Sequence, residues 1–588
     1  MQKKKWVGLF LVPLCLLIWS CGDNDSSHHS LPMLDPATPG SLAVCSELTN
    51  TTQFSFASNA GIETVIDSAE IVPAGGVIYD DDETYPAPEH CLVKGHMNDR
   101  TGISGSPGAV GSDSHYAIGF EMRLPTAWNG RFYYQANGGL DGSVSAAVGR
   151  FMFSNGPGHA ALGKGFAVIS SDAGHQPGAP FFGIDPQARL DYGYNAVAEL
   201  TPMAKALIKT AYGKQPDRSY FGGCSNGGRH TMVAAARYAD MYDGFLVGNP
   251  GFHLPQAAIS QLYSAQQYAT IPGVTLDAGN NITGAFTDVE LALVASKVVG
   301  QCDALDGASD GMINNTIACQ AAFDLDRDVD TCVVDDNSGR NGSCLTTAQK
   351  AALGHIMSGP RNNEGEAIYA SFPYDAGMAA DNWAYWEFYA SANLDPGAVG
   401  YIFTTPPTPF IGSMSGYEYA LAFDMDTDAP KIYATDDTYT VSSMDFMTPP
   451  NETDLSILKN RGAKMMVFHG TGDSVFSPND TMNWYQGLEA ANSGDATNFS
   501  RLFLVPGMNH CGAGPATDEF DGLDALIDWV EEGVEPDSVM ASVRADNPEL
   551  PNAWATDRTR PLCPYPQIAK YIGTGSIEDA ASFVCEEP

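Results

Sequence analysis

Apolar and polar positions along the first half of the chain predict short strands that alternate with helices. Strand-like segments have apolar side chains at every second position or in short continuous runs, and helix-like segments have them three or four residues apart. Strands that alternate with helices predict a mostly parallel sheet, and therefore the α/β class. The strand-like segments are 115–124, 131–136, 165–170 and 219–222, and the helix-like segments are 194–212 and 229–238.

This rhythm stops after Pro250 and returns near residue 448, where 464–469 and 502–505 again look like strands. The residues between are rich in aromatic and acidic side chains. We therefore expect a lid domain of about 200 residues, inserted between core strands and placed over the site. The expected division is a signal peptide at 1–20, a linker at 21–42, a first core part at 43–250, the lid at 251–447 and a second core part at 448–588.

Composition narrows the class of protein. The chain has 588 residues, of which 44% are hydrophobic and 17% charged, as in a globular protein with a sizeable core. Its formal net charge is −40. A surface this acidic repels phosphate backbones and anionic lipids, so we expect no nucleic-acid partner.

The N-terminus is typical of an export signal. Lys3, Lys4 and Lys5 precede an apolar run over 6–19 that is too short to span a bilayer comfortably. The run ends just before Cys21, as in a bacterial lipobox, and ordinary signal cleavage is the alternative. We expect an exported protein, periplasmic, extracellular or anchored to the outer membrane, that touches a membrane only through a lipid on Cys21.

The string Gly223-Cys224-Ser225-Asn226-Gly227 has the G-x-S-x-G pattern of a serine nucleophile. A serine hydroxyl displayed between a strand and a helix needs a tight turn, and glycines on both sides remove the clashes that a Cβ atom would cause there. A strand-like segment precedes this string and a helix-like segment follows it. Ser225 is therefore a candidate nucleophile, and a plain Gly-rich turn is the alternative.

Two partners follow in the chain order Ser–Asp–His of α/β-hydrolases. Asp473 comes just after the strand-like segment 464–469, and His510 comes just after 502–505. In this scheme His510 takes the Ser225 proton and Asp473 holds the imidazole in one tautomer. The backbone N–H of Asn226 and that of Gly139, in a Gly-rich turn, are the expected oxyanion donors.

Ten cysteines remain after the export segment, and an even number in an exported chain indicates disulfides. Proximity suggests Cys302–Cys319, Cys332–Cys344 and Cys563–Cys585. If Ser225 and His510 meet, Cys224 and Cys511 must also lie close together and would form a bridge. Two buried free thiols are the alternative.

Residues 302–311 space three carboxylates at intervals of three and four, with glycines for sharp turns. Hard oxygen ligands on a turning backbone suit a structural Ca²⁺ ion, and a solvated acidic turn is the alternative. The expected ligands are Asp303, Asp306 and Asp310, with the carbonyls of Ala308 and Met312. Nearby, residues 383–389 contain five aromatic side chains, which suit either a lid core or a slot for a flat substrate.

Together these motifs resemble the tannase and feruloyl esterase family over nearly all of the mature chain. The residues that carry the resemblance are GCSNGGR at 223–229, CDALDGASDG at 302–311, HGTGD at 469–473 and PGMNHC at 506–511. Further shared stretches are DPQARLDYGYN at 185–195 and RPLCPYPQIA at 560–569. Asn226 stands where a similar member has an acidic residue, but an oxyanion donor uses only its backbone.

The resemblance implies an α/β-hydrolase core, a lid that binds structural calcium and cleavage of small esters of aromatic acids. It also implies the bridge Cys45–Cys91, and it points to Leu254, Trp386 and Phe403 as substrate-binding. We therefore expect a serine esterase; a catalytically idle, calcium-stiffened binding lipoprotein for aromatic ligands is the alternative.

The charge pattern bears on the substrate. An ester whose acid part carries a second, free carboxylate needs a cation in the pocket, and arginine has the best shape for it. No arginine occurs between Arg361 and Arg461. The sequence therefore favours uncharged phenolic esters, unless an arginine from elsewhere in the fold reaches the pocket.

Overall fold

The structure is a computed structural model that describes residues 31–50, 55–56, 61–80, 83–152 and 157–588. The predicted signal peptide and Cys21 lie outside these ranges. Within them, no helix combines the length and the apolar character that a membrane crossing requires.

A nine-stranded mixed sheet forms the centre of the fold. Across the sheet the strands follow the order β9-β8-β7-β6-β4-β5-β3-β2-β1. Strands β4 to β9 pair in parallel, whereas β1 to β3 extend one side of the sheet through antiparallel pairs. The α/β class is confirmed. In chain order the strands are β1 (Thr64–Val72), β2 (His90–Ile103), β3 (Asp113–Pro125), β4 (Arg131–Gln135), β5 (Ala167–Ser171), β6 (Arg218–Cys224), β7 (Gly244–Gly248), β8 (Lys464–Gly470) and β9 (Ser500–Val505).

Both faces of the parallel strands are buried, which explains their nearly continuous apolar sequences. Neighbouring residues Tyr220 and Phe221 of β6 point to opposite faces and join different apolar clusters. Phe221 packs in the cluster that holds Leu200, and Tyr220 in the cluster that holds Trp529. The parallel part of the sheet is therefore covered on both sides, which leaves its strand ends accessible for a site.

Six helices of eleven residues or more lie in the described part of the chain: α1 (Ala196–Tyr212), α2 (Asn226–Arg237), α3 (Leu254–Ala269), α4 (Asp288–Cys302), α5 (Thr347–Met357) and α6 (Pro478–Ala491). Capping boxes begin α4 and α5, where Thr287 pairs with Glu290 and Thr346 with Gln349. Shorter α-helices are Pro186–Leu190, Thr316–Ala322, Leu325–Asp328, Asp381–Ala384, Ser391–Ala398, Gly416–Ala422, Ser443–Met447, Ser456–Asn460 and Gly522–Ile527. π-Helical turns are Asp191–Asn195, Tyr385–Ala390, Val399–Phe403 and Asp528–Glu532.

Small sheets surround the main one. A three-stranded sheet near the C-terminus comprises Glu519–Phe520, Val539–Ser542 and Thr559–Leu562. Two-stranded pairs are Gly40–Ser41 with Ala127–Trp128, Val77–Asp80 with Glu83–Pro86, Thr275–Leu276 with Ile282–Thr283, and Ile568–Tyr571 with Phe583–Glu586.

Residues 249–463, the intervening segment, separate β7 from β8, although these two strands are neighbours in the sheet. The segment carries α3, α4 and α5 and contributes no strand to the nine-stranded sheet. Its side chains Leu262 and Leu353 belong to the same apolar cluster as Phe221 of β6. The segment therefore shares one apolar core with the sheet.

The predicted strands and helices are present, with ends that differ by up to three residues. Strands β1, β2 and β7 have no counterpart in the sequence prediction. The short apolar run Gly244–Gly248 has no periodicity that would distinguish a buried strand from a buried helical turn. The polar second half of β2 conceals its strand character.

Five disulfides join the ten cysteines in the described residues: Cys45–Cys91, Cys224–Cys511, Cys302–Cys319, Cys332–Cys344 and Cys563–Cys585. These are the predicted pairs.

Candidate active site

Ser225 forms the turn between β6 and α2 by itself, because the strand ends at Cys224 and the helix begins at Asn226. Its φ of 67° and ψ of −129° lie in a region that residues other than glycine rarely adopt. A Cβ atom on Gly223 would lie 2.3 Å from the Ala136 oxygen, and one on Gly228 would lie 2.2 Å from the Gly248 oxygen. The flanking glycines are therefore required by close backbone contacts.

His510 connects Ser225 to Asp473. Its Nε2 lies 2.8 Å from Ser225 Oγ, and its Nδ1 lies 2.8 Å from Asp473 Oδ2. The three residues follow β6, β8 and β9, whose carboxyl ends meet at one edge of the parallel sheet. The three predicted residues are therefore adjacent, in the arrangement of a nucleophile, a base and a carboxylate that orients the base.

Four donors within 3.0 Å hold the Asp473 carboxylate. Oδ1 accepts the backbone N–H groups of Val475 and Phe476 at 3.0 Å each, and Oδ2 accepts Asn249 Nδ2–H at 2.7 Å besides the His510 ring. This orientation presents Oδ2 to His510 and leaves the carboxylate little freedom to rotate.

The pKa of Asp473 lies well below its usual range. Burial favours the neutral carboxyl, but the His510 ring and the hydrogen bond from His469 outweigh burial and lower the pKa. His469 Nε2 is 3.5 Å from Asp473 Oδ2. An ionised carboxylate favours the His510 tautomer that carries its proton on Nδ1, which leaves Nε2 free to accept the serine proton.

Two aromatic rings meet the His510 ring edge to face. Trp386 lies 4.9 Å away between ring centroids at an interplanar angle of 81°, and Phe476 lies 5.1 Å away at 80°. The His510 backbone N–H also donates to Asn382 Oδ1 at 3.3 Å. Because Trp386 and Asn382 belong to the intervening segment, that segment reaches the candidate base directly.

The turn after β4 passes beside Ser225. A Cβ atom on Gly138 would lie 3.7 Å from Ser225 Cβ and 4.0 Å from Ser225 Oγ, and Gly139 has a φ of 60°. Asn226 is the first residue of α2, where the helix dipole favours negative charge. Of the predicted oxyanion donors, Asn226 is next to Ser225 in sequence, and Gly139 directly follows the glycine that lies beside Ser225.

A buried polar cluster lies behind these two residues. Asp141 Oδ2 accepts Asn226 Nδ2–H at 2.8 Å and His230 Nε2–H at 2.9 Å. Burial raises the pKa of Asp141 to about 7, although His175, Arg229 and Asn226 oppose the shift. Burial and the neighbouring Arg229 keep the pKa of His230 well below its usual value, so the ring is neutral.

The three predicted substrate-binding residues lie in different surroundings. Trp386 is half-buried against His510. Leu254 is buried at the start of α3. Phe403 is fully buried, and among the described ring contacts none joins it to Trp386 or His510. The roles of Leu254 and Phe403 remain predictions.

The predicted calcium loop packs on the C-terminal part of the chain. Asp303 Oδ1 accepts the N–H groups of Asp310 and Gly311, and Asp306 Oδ2 accepts Asn314 Nδ2–H at 2.6 Å. Asp310 pairs with Arg560. In the described ranges no three His, Cys, Asp or Glu side chains are arranged to hold a metal ion, and calcium binding remains a prediction.

Sequence reasoning missed Asn249, Asn382 and Asp141. Asn249 directly follows β7 and contacts Asp473, so its position at a strand end would have been a signal if β7 itself had been predicted. Asn382 and Asp141 carry no comparable signal, because nothing in the local pattern indicates that they approach His510 or Asn226.

Comparison with known proteins is consistent with this geometry. Residues 104–586 match the family described as tannase and feruloyl esterase. The chain is 40% identical over 536 residues to the mono(2-hydroxyethyl) terephthalate hydrolase of Piscinibacter sakaiensis, which covers 85% of each chain. It is 28% identical over 500 residues to a probable feruloyl esterase of Arthroderma benhamiae, covering 81% of this chain and 83% of that protein.

Solved structures have the same fold. Feruloyl esterase B from Aspergillus oryzae superposes with a TM-score of 0.66 at 24% identity, covering 89% of this chain and 97% of the other. The tannin acyl hydrolase from Aspergillus niger gives a TM-score of 0.60 at 20% identity, covering 89% and 92%. These similarities concern the fold alone.

Proposed function

The chain belongs to the tannase and feruloyl esterase family and is a carboxylic ester hydrolase, and from this premise we propose that Ser225, His510 and Asp473 cleave small esters of aromatic acids through an acyl-enzyme. The observation that carries the proposal is the pair of 2.8 Å contacts that joins Ser225 Oγ to His510 and His510 to Asp473. The strained backbone of Ser225 supports it, because such strain is concentrated at functional sites.

In the first half of the reaction, Ser225 Oγ attacks the ester carbonyl carbon while its proton passes to His510 Nε2. The carbonyl oxygen becomes an oxyanion and accepts hydrogen bonds from the backbone N–H groups of Gly139 and Asn226. The intermediate collapses, the C–O bond to the alcohol breaks, and the alcohol leaves with the proton from His510.

In the second half, water attacks the acyl-enzyme. His510 takes a proton from the water and returns it to Ser225 Oγ, which releases the aromatic acid. Asp473 stays ionised throughout and stabilises the imidazolium form of His510.

Replacement of the nucleophile tests this proposal. Ser225→Ala should lower turnover of 4-nitrophenyl benzoate by about 10⁶-fold. It should also abolish covalent labelling by a fluorophosphonate. Ser296→Ala, at an exposed serine of α4, is the matched control and should leave both unchanged. A Ser225→Ala protein within tenfold of the parent would contradict the assignment. Ligand binding without turnover in the parent would favour the binding-protein alternative.

The intervening segment acts as the lid in this proposal. It supplies Trp386 and Asn382 to the surroundings of His510, and its aromatic side chains suit a flat acyl group. Leu254 and Phe403 belong to the proposed substrate-binding set.

The acyl group we propose is uncharged. Arg229, four residues after Ser225, is fully buried and donates to the carbonyls of Gly193 and Tyr192 and to Asn226 Oδ1. Lys431 pairs with Asp428 at 2.6 Å. Neither cation is therefore placed to bind a substrate carboxylate, which supports phenolic esters such as gallates or hydroxycinnamates over a terephthalate monoester.

A structural Ca²⁺ ion on residues 303–312 is part of the proposal. Three carboxylates and the carbonyls of Ala308 and Met312 are hard oxygen donors, the ligand type that Ca²⁺ prefers, although the described side chains are not arranged around one ion position. Burial raises the pKa of Asp306 to about 6, and repulsion from Asp310 and Asp303 adds to the shift. A cation would relieve this repulsion and stiffen a loop that packs on the C-terminal strands.

Export is the last part of the proposal. Five disulfides suit an oxidising compartment such as the periplasm or the extracellular space. We place any membrane attachment at a lipid on Cys21.

A further inference from the structure

The turn 138–141 is held at each of its first three carbonyl groups. The donors are Asp141 N–H to Gly138 O at 3.2 Å, Tyr192 Oη–H to Gly139 O at 3.2 Å, and His175 Nε2–H to Leu140 O at 2.7 Å. A turn held at successive residues has little freedom to move relative to the sheet.

The carboxylate of Asp141 then joins this turn to α2, the helix that begins directly after Ser225. Its Oδ2 accepts Asn226 Nδ2–H at 2.8 Å, and the Asp141 side chain is only 3% exposed. On its other side, Asn226 Oδ1 accepts Arg229 Nε–H at 2.7 Å. Both polar ends of the Asn226 side chain are thereby occupied, so that side chain cannot rotate freely.

We propose that Asp141 is a positioning residue that, by bonding the Asn226 side chain, sets the distance between the two oxyanion donors at Gly139 and Asn226. The inference rests on the proposed esterase mechanism. Asp141 is two residues from one donor, and its carboxylate bonds the side chain of the residue that carries the other. Oxyanion stabilisation depends on donors that are fixed before the reaction begins, and this contact fixes them relative to each other.

The choice of aspartate supports a role beyond folding. A buried carboxylate is costly unless its partners compensate, and an apolar side chain of similar volume would fill the same space. The retention of Asp141 is explained if the hydrogen bond to Asn226 serves the reaction.

A double-mutant cycle tests the inference. Asp141→Leu and Asn226→Leu each keep the backbone N–H groups and remove the bond between the two side chains. Asp141→Leu also removes the His230 contact, and Asn226→Leu also removes the Arg229 contact. Each should lower kcat for 4-nitrophenyl benzoate by about tenfold to hundredfold, which does not exceed the kcat loss expected when one oxyanion donor is removed. KM should stay within about threefold of the parent. Because the two residues act through one contact, the double variant should be no slower than the slower single variant. Losses that multiply, or an unchanged kcat in Asp141→Leu, would overturn the inference.

Two further measurements separate positioning from misfolding. Fluorophosphonate titration counts competent Ser225 sites, so kcat is expressed per active site. Affinity for an aryl boronic acid, which forms a tetrahedral adduct on serine, should fall by the same factor as kcat. An unchanged boronate affinity in a variant with reduced kcat would contradict the inference.

A reciprocal exchange provides the rescue. In Asp141→Asn/Asn226→Asp, the new amide donates to the new carboxylate, which still accepts Arg229 Nε–H. Its kcat should lie within about threefold of the parent, and a kcat as low as that of Asn226→Leu would overturn the inference even if Asp141→Leu fails to fold. If Ser225→Ala retains activity, the proposed function itself fails. If Ser225→Ala is inactive while Asp141→Leu is fully active, only the positioning role fails.

Discussion

Cys224 and Cys511 form a disulfide that links the residue before Ser225 to the residue after His510. The two cysteines are 287 residues apart in the chain. The bridge therefore covalently links the turn at Ser225, after β6, to the loop after β9. It lies directly beside the 2.8 Å contact between Ser225 and His510.

Removal of this bridge should impair both stability and turnover. By chain entropy, Cys224→Ala/Cys511→Ala loses up to about 5 kcal/mol of unfolding free energy, and measured losses often fall short of such values. We expect a lower melting temperature and a kcat reduced more than tenfold, because the Ser225–His510 distance is no longer constrained. Calorimetry and ester hydrolysis measure the two effects.

The bridge Cys563–Cys585 offers a matched control, since it closes a loop of 22 residues away from the triad. Cys563→Ala/Cys585→Ala should cost about 3 kcal/mol and leave kcat unchanged. Equal effects of both double variants on kcat would show that the Cys224–Cys511 bridge has no special relation to the site.

Loss of the proposed calcium ligands should destabilise the fold without altering the chemistry. Replacement of Asp303, Asp306 and Asp310 with asparagine should lower the melting temperature and abolish stabilisation by added Ca²⁺, because a ligand bound only by the folded state stabilises it by mass action. Asp326→Asn/Asp330→Asn, at two exposed carboxylates, is the control. If elemental analysis detected no calcium in the purified protein, the alternative interpretation of residues 302–311 as a solvated acidic turn would be correct.

Substrate charge should govern specificity. We expect kcat/KM for methyl gallate or methyl ferulate to exceed that for mono(2-hydroxyethyl) terephthalate, because the intervening segment offers no arginine between Arg361 and Arg461. The test is steady-state kinetics on the three esters at one pH. A clear preference for the terephthalate monoester would show that the missing arginine does not decide specificity.

His253 should make stability depend on pH in the alkaline range. Its ring lies 3.0 Å from Asp480 and 2.9 Å from Glu452, and although burial favours the neutral ring, these carboxylates raise the pKa to about 10. A raised pKa contributes stability that is fully present below the unfolded value near 6.5 and is lost as pH rises through about 10.

His253→Gln should therefore be less stable than the parent at pH 6, on the order of 2 kcal/mol, after allowance for the partial exposure of the pair. The difference should shrink steadily up to pH 10. Denaturation by urea at several pH values measures it, and a difference that stays constant with pH would exclude the proposed protonation of His253.

Local patterns sufficed for the elements nearest the site. The segment 464–469 is predicted as a strand from its apolar run, and it lies within β8. The run is continuous because both faces of that strand are buried. Strand β2 was not predicted, because in its second half exposed side chains alternate with half-buried ones and most of the residues are polar. Sequence periodicity reports burial, so it misses a partly buried strand such as β2, and it cannot distinguish a short, fully buried run such as β7 from a buried helical turn.

By itself, the sequence determined which residues are candidates for the chemistry: the G-x-S-x-G turn, the order Ser–Asp–His and the cysteines beside Ser225 and His510 are local features of the chain, and the glycines and strand ends that mark them have direct physical reasons. Only the tertiary structure decided which groups surround that chemistry. Asn249, Asn382 and Asp141 contact Asp473, His510 and Asn226 across 224, 128 and 85 residues. Such contacts arise from the packing of distant loops at one sheet edge, and packing of that range leaves no periodic trace in the chain.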